Sequence, residues 1–187
     1  MPENIVQEII LISVVVALGI AIVAFSISVL YPQIILTSEE QTASNIASQT
    51  TLSVGPLLVN STSGSLVLEV YDPAESGNVS IVAFYVPQSF EPSISLVTPT
   101  SPPSSSTFKV YSVTGALDRA EIISRIYDLN GQILYNSPLT AYSVPFNTPV
   151  TVFAKGYQQG DIIVIWVLYG QGDTFRIGYT FTGVPSS

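Results

Sequence analysis

Residues 9–36 constrain this chain more than any other stretch. Between residues 9 and 30 there is no charged side chain, and only three serines and one glycine interrupt the apolar run. At about 1.5 Å per helical residue, this stretch extends about 33 Å, which is the hydrocarbon thickness of a bilayer. Because apolar residues occur all round the helical wheel, we predict that lipid or other protein covers the segment.

The predicted helix is longer than its apolar part. Pro2 and Glu3 are typical of a helix start, and Pro32 is expected to kink the helix without ending it. Helix-forming polar residues continue beyond Pro32, so we predict a helix of about 45–50 residues that ends near Leu52. Residues 1–52 are therefore assigned to the helix and residues 53–187 to a separate domain.

The remaining sequence changes to the two-residue period of β-strands. Six strands are predicted, at residues 66–71, 79–86, 107–113, 150–154, 161–169 and 174–181. Residues 162–168 do not alternate, as expected of a central strand that is buried on both faces. Turn signals between closely spaced strands favour an antiparallel, immunoglobulin-like β-sandwich. With the helix, this predicts an α+β protein.

Local patterns give three further predictions within this domain. In the last strand, strict alternation places Phe175, Ile177, Tyr179 and Phe181 on one face and Arg176 on the other. Residues 128–131 and 170–173 are predicted to be tight turns between strands. Residues 91–107, rich in proline and serine, are predicted to form an exposed, stiff loop.

The composition excludes several classes of function. With no Cys or His, the chain has no ligand set typical of zinc, haem or iron–sulfur sites, and no Ser–His or Cys–His nucleophile. Asp72 and Glu75 fit a plain turn better than a calcium loop. No carboxylate pair is spaced for hydrolysis. We expect neither an enzyme nor a cofactor.

The charge distribution argues against nucleic acid as a partner. The net charge is −8, and residues 1–108 contain no Lys or Arg. A basic patch for phosphate backbones is therefore not expected. Asn60 and Asn78 begin the only two Asn-X-Ser/Thr triplets, which are either N-glycosylation acceptors or chance occurrences in a Ser/Thr-rich chain.

Glu8 lies one residue before the apolar run. It is either solvated at a membrane interface or paired with the N-terminal amine of a neighbouring subunit, because an unpaired carboxylate in a dry environment is costly. No Lys or Arg precedes the run. Either the numbering starts close to a processed N-terminus, which is what we expect, or the segment is not oriented by flanking charge.

A hydrophobic helix that leads directly into a β-sandwich resembles the archaeal type IV pilins and archaellins. In the wider pilin family, a glutamate occupies the fifth mature position, and Glu8 would do so if processing followed Glu3. The alternative start at Met1 does not fit this pattern. The resemblance is one of architecture over the whole chain, and no rigid motif is matched.

The resemblance implies a structural subunit that is held in the membrane before assembly. An assembly machinery, after cleavage by a prepilin peptidase, would then pack copies of the chain into a helical homopolymer outside the cell, for adhesion or surface contact. The residues it places in the filament core are Glu8, Ile9, Ile10, Leu11, Ile12, Val14, Val15, Val16, Leu18, Ile20, Ile22, Val23, Phe25, Ile27, Val29 and Leu30.

Other functions remain open on the sequence alone. An archaellin of a motility filament would use the same helix, and no residue separates it from a pilin. A single-pass, membrane-anchored domain that binds a sugar or another solute is the alternative from a different class. A membrane-tethered hydrolase is the weakest alternative, because the acidic residues form no recognisable site.

Overall fold

The computed structural model describes residues 2–60, 62–99, 107–170 and 173–182, with side chains from residue 4 onward. It contains the predicted long helix, as α1 (Pro2–Phe25), a π-helical turn (Ser26–Leu30) and α2 (Tyr31–Gln49). The helix ends at Gln49, before the predicted end at Leu52. The Thr50 amide makes the last helical bond, to the carbonyl of Ile46, and Thr51 already begins a strand.

The π-helical turn lies immediately before Pro32. Proline lacks the amide hydrogen of an α-helical bond, and its ring clashes with the carbonyl four residues earlier. Here the amide of Tyr31 bonds instead to the carbonyl of Ser26, five residues back. Helical structure continues through Pro32, and the irregularity that the proline imposes lies in the preceding turn.

The chain forms two compact units, residues 1–38 and 39–187. The last part of α2 thus belongs to the same unit as the strands. In this second unit, Ala43 and Ile46 are buried. The Glu39 carboxylate accepts a hydrogen bond from the amide of Asp173 at 2.9 Å.

Twelve strands are present in the described part of the chain. They are β1 (Thr51–Val54), β2 (Leu58–Asn60), β3 (Ser63–Tyr71), β4 (Asn78–Pro87), β5 (Phe108–Tyr111), β6 (Arg119–Ile123), β7 (Ile126–Tyr127), β8 (Ile133–Tyr135), β9 (Leu139–Pro145), β10 (Val150–Lys155), β11 (Asp161–Tyr169) and β12 (Phe175–Thr182). All six predicted strands are among them. The coarse prediction of an α+β protein is confirmed.

The strands form two sheets. The first has the order β1–β3–β10–β5, with β2 also paired to β3, and is antiparallel. The second has the order β6–β9–β4–β11–β12–β7–β8. It is mixed, because β7 and β12 run parallel where Tyr127 pairs with Phe175. The prediction of purely antiparallel pairing was therefore wrong at this position.

Strand β11 is central and buried on both faces, as predicted. It lies between β4 and β12, and residues 162–168 are all buried. On one side, Trp166 joins an apolar cluster with Phe84 of β4 and Ile94 of the segment that follows β4. On the other side, a methyl group added at Gly64 of β3 would lie 3.9 Å from Ile163, so this face meets the first sheet.

The alternation predicted for β12 was wrong because the strand pairing contains a bulge. Trp166 pairs with Tyr179 and Leu168 with Arg176, which leaves Ile177 as the extra residue. Arg176 and Tyr179 consequently share one face. The Arg176 guanidinium lies 5.1 Å from the centre of the Trp166 ring and 5.5 Å from that of Tyr179.

The segment after β4 is more ordered than the predicted loop. Residues Gln88–Leu96 form a 3₁₀-helical segment, in which Ile94 is buried against the second sheet. The prediction of a wholly exposed loop over residues 91–107 was therefore wrong at Ile94, although no strand forms between residues 91 and 99. Residues 100–106 of this loop, with the serine run, lie outside the described residues.

The predicted turn at residues 128–131 is confirmed between β7 and β8. The Asp128 carboxylate accepts hydrogen bonds from the amides of Asn130 and Gln132, and Gly131 has the positive φ that the turn requires. Strands β11 and β12 pair as predicted for a hairpin, but residues 171–172 of its turn lie outside the described residues.

Asn147 ties the start of the loop after β3 to the turn before β10. Its side chain accepts a hydrogen bond from the amide of Asp72 and donates to the carbonyls of Asp72 and Glu75, each at 2.8 Å. Its φ of 59° is left-handed, a conformation that Asn tolerates better than other residues with a Cβ. The side chain thus stabilises the turn in which Asp72 is buried.

We predict that Asn147→Ala lowers the free energy of unfolding by about 2–4 kcal/mol, because it loses these hydrogen bonds and retains a strained φ. Asn147→Gly loses the same bonds without the strain and should cost about 1 kcal/mol less. The measurement is thermal unfolding in detergent, followed by circular dichroism. Asn136→Ala, on an exposed side chain, is the control; an equal effect there would contradict the prediction.

Candidate functional site

The candidate site is the surface of the apolar helix. All fifteen apolar side chains predicted to form a filament core are exposed, from 38% at Val29 to 66% at Ile20 and Ile27. The helix is long and apolar enough to cross a membrane, by length and composition. The chain presents here a surface that water does not solvate favourably and that its own described residues do not cover.

Two of the three serine hydroxyls of the apolar run are bonded within the helix, and the third, that of Ser26, has no hydrogen-bond partner among the described residues. Ser13 donates to the carbonyl of Ile9 at 2.8 Å, and Ser28 donates to that of Ala24 at 2.6 Å. Thr37 makes the same bond to Gln33 at 2.9 Å. A hydroxyl that bonds four residues back needs no outside partner, which suits a helix surrounded by lipid or apolar side chains.

Glu8 is exposed in the first turns of α1. Within the residues that the structure describes, no hydrogen-bond donor or cation contacts its carboxylate. The carboxylate is therefore available to a group outside these residues. Both roles predicted for it, at an interface or paired with a neighbouring amine, stay predictions.

Sequence analysis did not single out the residues that fix the end of the helix. Besides the bond between Glu39 and Asp173, the Glu40 carboxylate approaches Gly131, where a methyl group would lie 3.0 Å from its oxygen. Thr50 donates to the buried carboxylate of Asp72 at 3.3 Å. Acidic residues that follow an apolar run were the available signal, but their partners are more than 80 residues away in the chain.

Asp72 forms the predicted turn. Its carboxylate accepts a hydrogen bond from the amide of Ala74 at 2.9 Å, and its carbonyl accepts one from Glu75 at 3.4 Å. Among the described residues, no group of three or more acidic side chains could hold a metal ion. The carboxylate is used in the turn and at the end of the helix, so it serves a structural role here.

The two predicted glycosylation acceptors are both exposed. Asn60 ends the edge strand β2, and Asn78 begins β4. The Asn78 amide donates to the hydroxyl of Ser143 at 3.2 Å, and the hydroxyl of Ser80, in the same triplet, bonds to Glu121. Accessibility at Asn60 and Asn78 is compatible with modification. Whether either carries sugar stays a prediction.

Tyr85 carries the most perturbed phenol of the β-rich unit. Its hydroxyl donates to the carbonyl of Lys155 at 3.1 Å, and its ring lies 4.7 Å from that of Phe108. Burial, with smaller contributions from Asp161 and Tyr157, raises its pKa to about 12. Tyr142 donates to the carbonyl of Phe108 at 2.6 Å, and burial also raises its pKa. Both tyrosines link the second sheet to the first.

Two further titratable groups of the β-rich unit have shifted pKa values. Burial raises the pKa of Asp118, and one of its carboxylate oxygens has no hydrogen-bond partner within the described residues. Burial lowers the pKa of Arg176, whose guanidinium donates to the carbonyl of Ser95 at 3.1 Å. Arg176 thereby fastens the Gln88–Leu96 segment to the second sheet.

Comparison with known proteins gives no family. No family model matches the chain, and no curated protein does. Among solved structures, the chain is similar to a conjugative transposon lipoprotein from Bacteroides eggerthii, with 8% sequence identity and a TM-score of 0.35, over 72% of this chain and 96% of that one. A likeness of this size carries no argument about fold or function.

We predict that Tyr85 titrates near pH 12 in the folded protein, against about 10 in the unfolded chain. Because the folded-state pKa is the higher one, the contribution to stability is complete below pH 10 and is lost as the pH rises through 12. Between pH 9 and 11, the melting temperature of the wild type should fall further than that of Tyr85→Phe. Parallel pH profiles for the two proteins would refute this.

Proposed function

We propose that this chain is a structural subunit of a helical cell-surface filament of the type IV pilus class, and that it polymerises through residues 8–30. One observation carries the proposal. The helix exposes apolar side chains in every direction and bonds the hydroxyls of Ser13 and Ser28 to its own backbone. Such a helix can be covered equally well by lipid and by copies of itself.

The energy available from covering this surface is large. A fully buried Val, Leu, Ile or Phe side chain contributes about 1.5–3 kcal/mol relative to exposure in water. Even at half that yield, the fifteen exposed side chains match or exceed the roughly 5–15 kcal/mol that stabilise an ordinary folded domain. A chain with this helix exposed to water would associate with lipid or with other copies of itself.

Two features support an assembling helix over a permanent membrane anchor. No Lys or Arg occurs among residues 1–108, whereas such charges normally orient a membrane span. The helix also reaches the first strand without a Gly/Ser linker, since α2 ends at Gln49 and β1 begins at Thr51.

We propose further that the β-rich unit is an immunoglobulin-like β-sandwich and that it forms the outer layer of the filament. The hydroxyl bonds of Tyr85 and Tyr142, which run from the second sheet to the first, support the sandwich. The proposed partners are copies of the chain, the membrane before assembly, a prepilin peptidase and the pilus assembly machinery. Adhesion or surface contact is the proposed role, and a motility filament would use the same helix.

A cleft on the β-rich unit favours one alternative, a membrane-anchored binding domain. The cleft has a volume of about 350 Å³ and is lined by Tyr85, Phe90, Leu96 and neighbouring uncharged residues. This volume lies within the range of small-molecule sites. On that alternative, the chain stays in the membrane and does not polymerise.

We predict that Val16→Asp abolishes incorporation into filaments. A carboxylate in the middle of the apolar helix costs about 2.5–3.5 kcal/mol even for insertion into a membrane, and each copy in a packed core would add a like charge. The measurement is electron microscopy of sheared surface material, with the membrane fraction probed for the variant. Val113→Asp, on a valine of the β-rich unit that is 67% exposed, is the matched control.

The two variants separate the proposal from its alternative. Filaments that contain the wild type and Val113→Asp but not Val16→Asp support assembly through the helix. If the wild type is absent from filaments and stays in the membrane fraction, the chain is an anchored monomer. If Val16→Asp enters filaments as well as the control does, the helix is not their core.

We predict that Glu8→Gln reduces filament yield at least about tenfold while membrane association is retained. Truncating one partner of a desolvated charge pair costs about 2–5 kcal/mol, and tenfold corresponds to about 1.4 kcal/mol. Filament protein per cell is compared with that of Glu75→Gln in the β-rich unit. Normal yield from Glu8→Gln would favour a solvated carboxylate at an interface.

A further inference from the structure

One side of the first sheet is uncovered. Its inward residues, such as Leu66 and Val152, are buried, whereas the alternate residues face outward. Its charged and larger apolar members are Leu58, Val67, Glu69, Lys109, Phe153 and Lys155, and we call this outward surface the lysine face. Strand register makes it contiguous, because Phe153 pairs with Lys109 on one side and with Ser65 on the other, and Ser65 pairs with Leu58.

The lysine face combines apolar surface with two lysines and one carboxylate, that of Glu69, so its charge is net positive. Leu58 is 67% exposed and Val67 is 49% exposed. Lys109 and Lys155 are the only lysines of a chain whose net charge is −8. Neither side chain forms an ion pair with any residue that the structure describes. This face is therefore suited to an acidic partner surface that also offers apolar side chains.

The 3₁₀-helical segment Gln88–Leu96 has the complementary character. Phe90 is 50% exposed and Leu96 is 82% exposed, although both belong to a segment that Ile94 anchors in the core. Glu91 lies beside Phe90, is exposed, and has no ion pair within the described residues. The segment thus presents a carboxylate between two apolar side chains on a fixed support.

These two surfaces lie on opposite sides of the β-rich unit. The first sheet turns its inner side to the second sheet and the lysine face away from it. The second sheet carries the Gln88–Leu96 segment on its far side, where Ile94 packs and Arg176 bonds to Ser95. Two complementary patches on opposite sides of a subunit pair front to back, so each added subunit offers a free patch for the next one. A two-fold contact would instead stop at a dimer.

We infer that the lysine face of one subunit binds the Gln88–Leu96 segment of the next, so that the β-rich units form a continuous outer layer. The inference rests on the proposed filament and names a contact within it. A two-fold contact between two lysine faces would oppose two surfaces of net positive charge, and a contact between two segments that carry Glu91 would oppose two carboxylates. Charge complementarity therefore favours the front-to-back pairing.

The absence of cysteine from the chain allows a direct test by disulfide crosslinking. Filaments are prepared from cells that produce the chain with Val67→Cys and Leu96→Cys together, and are oxidised mildly. The two positions lie on opposite sides of one unit, so a front-to-back contact should give a ladder of dimers, trimers and higher multimers on a non-reducing gel. The matched control pairs Leu96→Cys with Ile122→Cys, a residue on strand β6 that is 70% exposed and outside both surfaces.

A charge exchange tests the chemistry of the contact. In the crosslinking background, Lys109→Glu with Lys155→Glu should lower the ladder yield roughly threefold, the effect expected of exposed ion pairs. Adding Glu91→Lys should restore it. Filament yield from each variant is measured in parallel, because the apolar helix and not this contact is proposed to drive assembly.

The outcomes distinguish the two proposals. Filaments that give no ladder, or a ladder no stronger than that of the control, overturn the contact and leave the filament intact. A chain without cysteine substitutions that never appears in filaments overturns the proposed function instead. A band limited to dimers from Val67→Cys alone indicates a two-fold contact between lysine faces, and also overturns the inference.

Discussion

Strand β11 has no side that faces water, and the β-rich unit is arranged to cover both of its faces. Residues 162–168 are buried, with the first sheet on one side and the Gln88–Leu96 segment on the other. Covering the second face requires that the Gln88–Leu96 segment be ordered and place Ile94 against the sheet, whereas an exposed loop would be enough merely to connect β4 to β5. The same requirement places Arg176 over Trp166, since a charged group can lie there only above an aromatic ring and bonded to a carbonyl.

The apolar helix has the same need for cover, but the described chain does not supply it. The β-rich unit builds an apolar core of its own, and of the helical residues only Ala43 and Ile46 are buried in it. The boundary between these two situations lies near Glu39, which bonds to the amide of Asp173. Beyond Glu39, the chain thus supplies the cover for its own apolar core. Before Glu39, the cover for the apolar side chains has to come from lipid or other protein.

The sequence predicted the features that depend on local pattern. An apolar run as long as residues 9–30 predicts a helix in any surroundings. Strand β11 could be recognised because its seven consecutive apolar residues, 162–168, show no alternation with polar residues, which is typical of a strand buried on both faces. The bulge at Ile177 could not be predicted, since it depends on how β12 pairs with β11 and leaves the pattern of β12 unbroken. Ile94 was missed because prolines and serines surround it. The lysine face was missed because it assembles residues from β2, β3, β5 and β10.

The hydroxyl bonds of Ser13, Ser28 and Thr37 make the helix indifferent to which apolar medium surrounds it. These three hydroxyls keep their hydrogen bonds when the helix moves between lipid and a protein core. Apart from the pairing proposed for Glu8, the free-energy difference between the two locations then depends mainly on side-chain packing, which is small per residue and reversible. On the proposed function, a subunit could therefore return from filament to membrane intact, and growth and retraction would draw on one reusable pool.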